Sequence, residues 1–186
     1  KILHQTYSIY ENIPDDIRKT MLKLKKKNPD WQYKFYDDND IFNYLSKNFP
    51  PKVLKAYLKI NPKYGPARAD LFRYAVLYNE GGVYLDAKSF CNKPLSKVIK
   101  STDKFVLSYW HNYKPHADLI GLEKGEIINW FIAVIPKHPL MLKVINAVVD
   151  NINNPKFKDA TGKYNVLLIT GPIVFTNILK RQLYLY

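Results

Sequence analysis

Three charged residues in the middle of the chain have the types and spacing that binding chemistry needs. Asp70 and Arg73 lie in a segment without Gly or Pro, residues 67–80, and their spacing makes them neighbours on the surface of a predicted helix. Asp86 directly follows the β-forming residues 83–85 and therefore ends a short predicted strand. A carboxylate at the end of a strand can hold a cation or a ligand hydroxyl. The spacing alone fits a solvated Asp at a helix–strand junction equally well.

Local signals define the helix and the turn that position these three residues. Pro66 suits the first helical turn because its missing N–H would have no partner there. Gly81 and Gly82 end the helix, since glycine reaches the left-handed conformation of a helix end without penalty. The buried stripe consists of apolar residues at i, i+3, i+4 and i+7, namely Leu71, Tyr74, Ala75 and Tyr78.

The first part of the chain predicts a βαβ unit. Residues 2–7 form a strand, residues 15–27 a helix with acidic residues at its start and lysines at its end, and residues 31–36 an aromatic strand. Strand, helix and strand at this spacing imply a parallel pair. The acidic residues 37–40 lack the glycine and the distal glutamate of a calcium loop, so we expect them to cap the next helix.

Further elements follow the same rules of periodicity and of Gly and Pro punctuation. The predictions are helices at 41–49, 53–60 and 140–149, a strand at 104–110, a long apolar run at 126–135, a polar mobile loop at 151–164, and a final helix from Thr170 or Gly171 towards Gln182. The spacing of His111 and His116 is not that of a helical metal pair, so we expect surface or substrate-loop residues. His138 is expected to cap or pack.

Length and composition indicate one globular domain. The chain has 186 residues, 47% of them hydrophobic, and Cys91 is its single cysteine, which excludes a disulfide framework and a cysteine zinc site. The sequence shows neither a signal peptide nor an apolar run of membrane-spanning length. These observations favour a cytoplasmic or peripheral membrane location. The chain begins at Lys1 without a Met, so we expect flanking or C-terminal residues beyond it.

The formal net charge of +13 raises the question of nucleic-acid binding. The lysines are scattered along predicted helices, and no nucleic-acid-binding motif accompanies them. We therefore predict no nucleic-acid partner and a solvated basic surface. Such a surface would attract a nucleoside diphosphate or an anionic membrane face by long-range steering.

Several motifs occur in an order that resembles one enzyme family. The segment ARADLFRYAVLYNEGGVYLDAKSF resembles the core signature of the glycosyltransferases with a DXD sugar-binding motif, family 32 in sequence classification. Three further segments are similar to other motifs of that family, namely KILHQTY, INWFIAVIPKHPL and TGPIVFT. The resemblance implies an α/β, GT-A-type (Rossmann-like) nucleotide-sugar-binding fold, with a central mostly parallel sheet flanked by helices. It also implies that residues 1–186 form a single glycosyltransferase domain.

The activity implied by the resemblance is transfer of a hexose or N-acetylhexosamine from a UDP- or GDP-sugar. The acceptor would be a glycan, a lipid or a protein, and the transfer would retain the anomeric configuration. By the same resemblance, Asp70 and Arg73 hold the hydroxyls of the donor sugar and Asp86 lies at the diphosphate. A carboxylate suits this role because it accepts hydrogen bonds from two hydroxyls.

The resemblance also implies donor-binding residues outside the central helix. Gln5, Thr6 and Tyr7, at the end of the first strand, would line the base or the ribose, although a buried first strand with satisfied polar ends explains them equally well. Asn129 lies in a segment that runs near the donor in family members.

One position departs from the family motif. Where Asp-X-Asp is expected, the chain has Asp86-Ala87-Lys88, and an ammonium group cannot bind a cation. Lys88 could replace the metal as counter-charge, Asp86 could hold Mn²⁺ or Mg²⁺ with another residue, or the site could be catalytically weakened. The last possibility leads to the alternative function, a non-catalytic nucleotide-sugar- or glycan-binding domain.

Overall fold

A five-stranded sheet forms the centre of the computed structural model, which describes residues 1–110, 125–157 and 162–183. Its strands are β1 (Ile2–Thr6), β2 (Gln32–Tyr36), β3 (Gly82–Leu85), β4 (Phe105–Val106) and β5 (Phe131–Val134), in the order β2-β1-β3-β5-β4. β1 runs parallel to β2 and β3, whereas β5 is antiparallel to β3 and β4. The predicted parallel β1–β2 pair is confirmed, and the carboxyl ends of the three parallel strands share one edge.

Helices cover both faces of this sheet. They are α1 (Asp15–Lys27), α2 (Asp38–Asn48), α3 (Pro51–Lys59), α4 (Gly65–Glu80), α5 (Leu95–Val98), α6 (Pro139–Asn153), α7 (Gly162–Ile169) and α8 (Pro172–Leu183). Alternation along β3 divides the core, since Tyr84 packs with α4 and α6 while Val83 and Leu85 pack with Leu24 of α1. The predicted α/β fold is confirmed. Within the described residues, no helix has both the length and the apolar character to cross a membrane.

The central helix α4 is buried on most of its circumference. Residues 70–77 are all buried, including Asp70 and Arg73, whereas the sequence predicted a single apolar stripe. The difference arises because α4 packs against the sheet and also against α2 and α6. A helix of this kind needs internal partners for its polar side chains.

Two glycines join α4 to β3. Gly81 and Gly82 have φ angles of 64° and 95°, in the region that side chains disfavour. A Cβ atom on Gly82 would lie 2.5 Å from the carbonyl oxygen of Ile2, so only glycine allows β1 to approach this closely. The junction predicted from the Gly-Gly pair is confirmed.

The predicted caps are found at two helices. Asp37 and Asp40 form a reciprocal capping box at the start of α2. His138 accepts a hydrogen bond from the Leu140 N–H at the start of α6, and its ring also lies against Phe105.

Two predicted boundaries were wrong. The strand predicted at 104–110 is reduced to β4, beyond which Tyr109 forms only an isolated bridge with Ile127. The predicted loop at 151–164 contains the end of α6, a 3₁₀ turn at Pro155–Phe157 and the start of α7. Asn153 is the last residue of α6, and its side-chain amide donates to the Val149 carbonyl, a contact that its turn preference does not reveal. His111 and His116 lie outside the described residues.

Candidate active site

Asp86 begins a tight turn at the carboxyl end of β3. Its N–H donates to the Trp130 carbonyl, and its own carbonyl accepts from the Ser89 N–H at 2.8 Å, which closes the turn. Ala87 is buried and packs near Ile13. Lys88, the next residue, is exposed, so the turn has one anchored position and one that faces solvent.

Arg73 lies between the two carboxylates and links α4 to this turn. Its Nη2 atom is 2.9 Å from Asp86 Oδ1 and 3.2 Å from Asp70 Oδ1, and its Nη1 atom donates to the Asn129 carbonyl at 2.6 Å. The guanidinium also lies over the Tyr84 ring, 4.7 Å from the centroid. One cation is thus shared by two anions.

Asp70 accepts hydrogen bonds on both of its oxygens. Asn129 Nδ2 lies 3.0 Å from Oδ1, and Thr170 Oγ1 donates to Oδ2 at 2.9 Å. Tyr74 extends the network, because its hydroxyl lies 2.8 Å from Asn129 Nδ2 and donates to the Thr170 carbonyl. The predicted site residues Asp70, Arg73 and Asn129 therefore meet in one buried polar network, with Asp86 at its edge.

Exposure differs sharply within this network. The side chains of Asp70 and Arg73 are 7% and 4% exposed, whereas that of Asp86 is 24% exposed. Asp86 is therefore the member with substantial access to a ligand, and Asp70 and Arg73 form a floor beneath it.

Burial controls the protonation of the network. It raises the pKa of Asp70 to about 6, while Arg73 and the hydrogen bonds from Thr170 and Asn129 act in the opposite direction. Burial tends to lower the pKa of Arg73, but Asp86, Tyr84 and Asp70 together outweigh it and raise this pKa above its usual range. Arg73 is therefore a permanent cation, and at neutral pH the two carboxylates leave the trio with a net negative charge.

The residues predicted at the end of β1 differ in their surroundings. Gln5 is fully buried, donates to the Asp86 carbonyl at 3.1 Å and accepts from the Tyr33 hydroxyl. Thr6 donates to the Tyr36 carbonyl, and Tyr7 is half-buried in the apolar cluster that contains Ala87. Gln5 thus supports the backbone of the turn, and Tyr7 lies beside it.

Tyr74 and Thr170 were not among the predicted site residues. Tyr74 was assigned to the apolar stripe of the helix, a role that its ring also fulfils by stacking on Phe175. Thr170 belongs to the Thr-Gly-Pro step that the sequence related to a family motif, and that step was the available signal. Its partner lies 100 residues earlier, so only the fold reveals the contact.

The donor set around Asp86 does not fit a divalent cation held by protein side chains. In the described ranges, no group of three or more His, Cys, Asp or Glu residues is arranged to hold a metal ion. Asp86 Oδ1 already accepts from Arg73, and the position of the second motif carboxylate carries Lys88. Mn²⁺ and Mg²⁺ prefer several oxygen ligands, which this turn does not supply.

A cavity of about 880 Å³ lies beside the network, between α3, the start of α4, the end of α6 and α7. Tyr64, Asn61, Asn154 and Thr170 contribute to its polar lining, and Ile60 to its apolar lining. Thr170 belongs both to this wall and to the Asp70 network, so cavity and network are adjacent.

Curated proteins that are similar to this chain include glycosyltransferases. An inositol phosphoceramide mannosyltransferase of Schizosaccharomyces pombe is 28% identical over 93% of this chain and 49% of its own length. An uncharacterized glycosyltransferase of Acanthamoeba polyphaga mimivirus is 39% identical over 53% of this chain and 39% of its own length. The chain thus spans about half the length of the Schizosaccharomyces pombe relative.

A solved structure has the same fold. The PaToxG glycosyltransferase superposes with a TM-score of 0.65 at 21% identity, over 100% of this chain and 74% of that chain. The family described as "Glycosyltransferase sugar-binding region containing DXD motif" matches residues 14–106, half of the chain and the part that contains Asp70, Arg73 and Asp86. The chain therefore belongs to the DXD-motif glycosyltransferase family, with a variant motif at Asp86-Ala87-Lys88.

Proposed function

We propose that this chain is a glycosyltransferase domain that moves a hexose or N-acetylhexosamine from a nucleoside-diphosphate sugar to a hydroxyl of a glycan, lipid or protein. The observation that carries the proposal is the Asp70–Arg73–Asp86 trio at the carboxyl edge of the parallel strands, where α/β sheets bind ligands. The family membership supports the same activity.

The geometry of the trio fits binding of a sugar better than proton transfer. Both oxygens of Asp70 are occupied by hydrogen bonds, so Asp70 acts by fixing Arg73 and Asn129 rather than by taking a proton. Asp86 has the exposed carboxylate edge, and it can accept hydrogen bonds from sugar or ribose hydroxyls. In this assignment Tyr7 lies on the side of the nucleotide, and buried Gln5 and Thr6 support the end of β1 behind it.

The reaction breaks the bond between the anomeric carbon and the diphosphate oxygen, and the electron pair leaves with the nucleoside diphosphate. The acceptor oxygen forms a new bond to the anomeric carbon. We infer retention of configuration, in which the departing phosphate oxygen takes the proton of the acceptor hydroxyl. The cavity that shares Thr170 with the network is the location that we assign to the acceptor.

A nucleotide-release assay tests the proposal. The protein would be incubated with UDP- and GDP-sugars, in Mn²⁺ and in EDTA, and release of UDP or GDP would be followed. A mannose donor comes first, because the Schizosaccharomyces pombe relative is named a mannosyltransferase. Asp86→Ala should abolish turnover, because it removes the exposed carboxylate of the trio.

Asp150→Ala is the matched control, since Asp150 is an exposed residue of α6 outside the network. It should leave turnover unchanged. Tight binding without turnover for every donor, with and without the metal, would contradict the transferase and support the non-catalytic binding domain instead.

A further inference from the structure

The turn formed by residues 86–89 contains two charged side chains. Asp86 is paired with Arg73, whereas Lys88 has no partner among the residues that the structure describes. We propose that Lys88 supplies the positive charge that holds the diphosphate of the donor, in place of a divalent cation. The inference rests on the proposed function, because it concerns the leaving group of the nucleotide-sugar reaction. Lys88 takes no part in bond breaking.

The charges of the site require a further cation. Arg73 is bonded to both Asp70 and Asp86, so its charge is already balanced and the trio remains net negative. A donor diphosphate adds two negative charges, and its departure concentrates charge on the leaving oxygen. Without a cation near this edge, Asp86 would repel the group that it is placed to receive.

The geometry of the turn makes Lys88 available for this role. The Ser89 N–H closes the turn on the Asp86 carbonyl, and buried Ala87 fixes its inner side. Lys88 is exposed and makes no hydrogen bond or ion pair with the residues that the structure describes. An exposed ammonium on a flexible stem can reach phosphate oxygens as a point charge.

Several other lysines on the described surface already have a partner. Lys34 is paired with Glu80, and Lys1 contacts Asp30. Lys23 is exposed and lies on α1, away from the turn in sequence, so it provides a control of equal charge. The position of Lys88, two residues after Asp86, is the one where the family name implies an acidic residue.

Measurements of nucleotide affinity distinguish a diphosphate held by Lys88 from one held by a metal ion. The dissociation constants of UDP and GDP would be measured by titration calorimetry in EDTA and in Mn²⁺, for the unchanged chain and for Lys88→Ala, Lys88→Arg, Lys88→Asp and Lys23→Ala. Circular dichroism would establish that each variant is folded. The unchanged chain should bind at least one nucleotide equally well in both conditions.

The variants should differ in their affinity for the nucleotide. Lys88→Ala should weaken binding by about tenfold or more in both conditions, and Lys88→Arg and Lys23→Ala should retain it. Lys88→Asp restores an Asp-X-Asp motif, so its binding should be weak in EDTA and recover in Mn²⁺. Loss of one donor that stabilises developing charge typically costs about 10²-fold or more in kcat, which gives the expected effect of Lys88→Ala on turnover.

Two results would contradict the role of Lys88 without contradicting the proposed function. One is nucleotide binding by the unchanged chain that needs Mn²⁺, and the other is a Lys88→Ala variant that binds as tightly as the unchanged chain. Failure of the folded chain to bind either nucleotide in both conditions would instead overturn the proposed function, and the inference with it.

Discussion

Arg73 holds two carboxylates that would otherwise repel each other, and this arrangement makes each residue of the trio depend on the others. Removing Arg73 would leave Asp70 buried with an uncompensated charge, which is among the costliest changes in a protein interior. Asn129 and Thr170 limit that cost by hydrogen-bonding Asp70. The site is therefore preorganised before a ligand arrives.

The protonation of Asp70 predicts a pH dependence of stability. Its pKa is about 6 in the folded chain and 3.8 in the reference state, so the folded chain binds the proton more tightly. The resulting stabilisation is complete below pH 4 and is lost as the pH rises through about 6, with a total on the order of 3 kcal/mol. Asp70→Asn should remove this dependence, measured by urea unfolding between pH 4 and pH 7.

The informative quantity is the difference in unfolding free energy between Asp70→Asn and the unchanged chain. It should shift in favour of the variant as the pH rises from 4 to 7. A shift in the opposite direction would mean that Arg73 and the hydrogen bonds outweigh the burial of Asp70.

At the scale of elements, the site depends on the junction of α4 with β3. The helix provides Asp70 and Arg73, the strand ends at Asp86, and Gly81 and Gly82 connect the two. Only 13 residues separate Arg73 from Asp86, so this half of the site is a local structure. β5 then adds Asn129 from the residues just before it, beside the end of β3.

Substitution at this junction should be costly. Gly82→Ala combines a positive φ with a Cβ atom 2.5 Å from the Ile2 carbonyl oxygen, so we expect destabilisation of about 1–3 kcal/mol or more. Gly65→Ala is the control, because its Cβ would meet no atom within 4 Å apart from its chain neighbours, and its effect should stay below about 1 kcal/mol. Thermal unfolding of the two variants measures the difference, and equal melting temperatures would contradict the close approach.

The sequence predicted the elements whose signals are local. The junction of α4 and β3 was predicted from Gly81, Gly82 and the β-forming residues after them. The cap of α2 was predicted from the acidic residues 37–40. Thr170 could not be placed on Asp70, because a contact across 100 residues leaves no local pattern. The shortened β4 and the helical start of α7 depend on tertiary packing, which overrides propensity in short segments.

The whole molecule carries a formal net charge of +13, which acts on ligands before they reach the site. Among the described residues, lysines lie on several helices, as the basic ends of α1 and α2 illustrate. A diffuse positive field raises the local concentration of anions without selecting among them. Such a field would favour the capture of nucleoside diphosphates, and it would equally favour contact with an anionic membrane surface.

Salt should therefore slow nucleotide capture. The association rate constant of a fluorescent GDP or UDP analogue, measured by stopped flow, should fall severalfold between about 20 mM and 500 mM NaCl, since screening shortens the range of the field. The corresponding uncharged nucleoside should show no such dependence. A salt-independent rate for the diphosphate would exclude steering by the net charge.

The bond between Thr170 and Asp70 has a consequence for synthesis of the chain. The helix α4 and the strand β3 are synthesised before Thr170. The hydrogen bond from Thr170 to Asp70 therefore forms only after the segment before α8 has been synthesised. In a nascent chain that ends before this point, Asp70 Oδ2 lacks the hydrogen bond that Thr170 donates. The Asp70 network is thus complete only in chains that have been translated at least as far as Thr170.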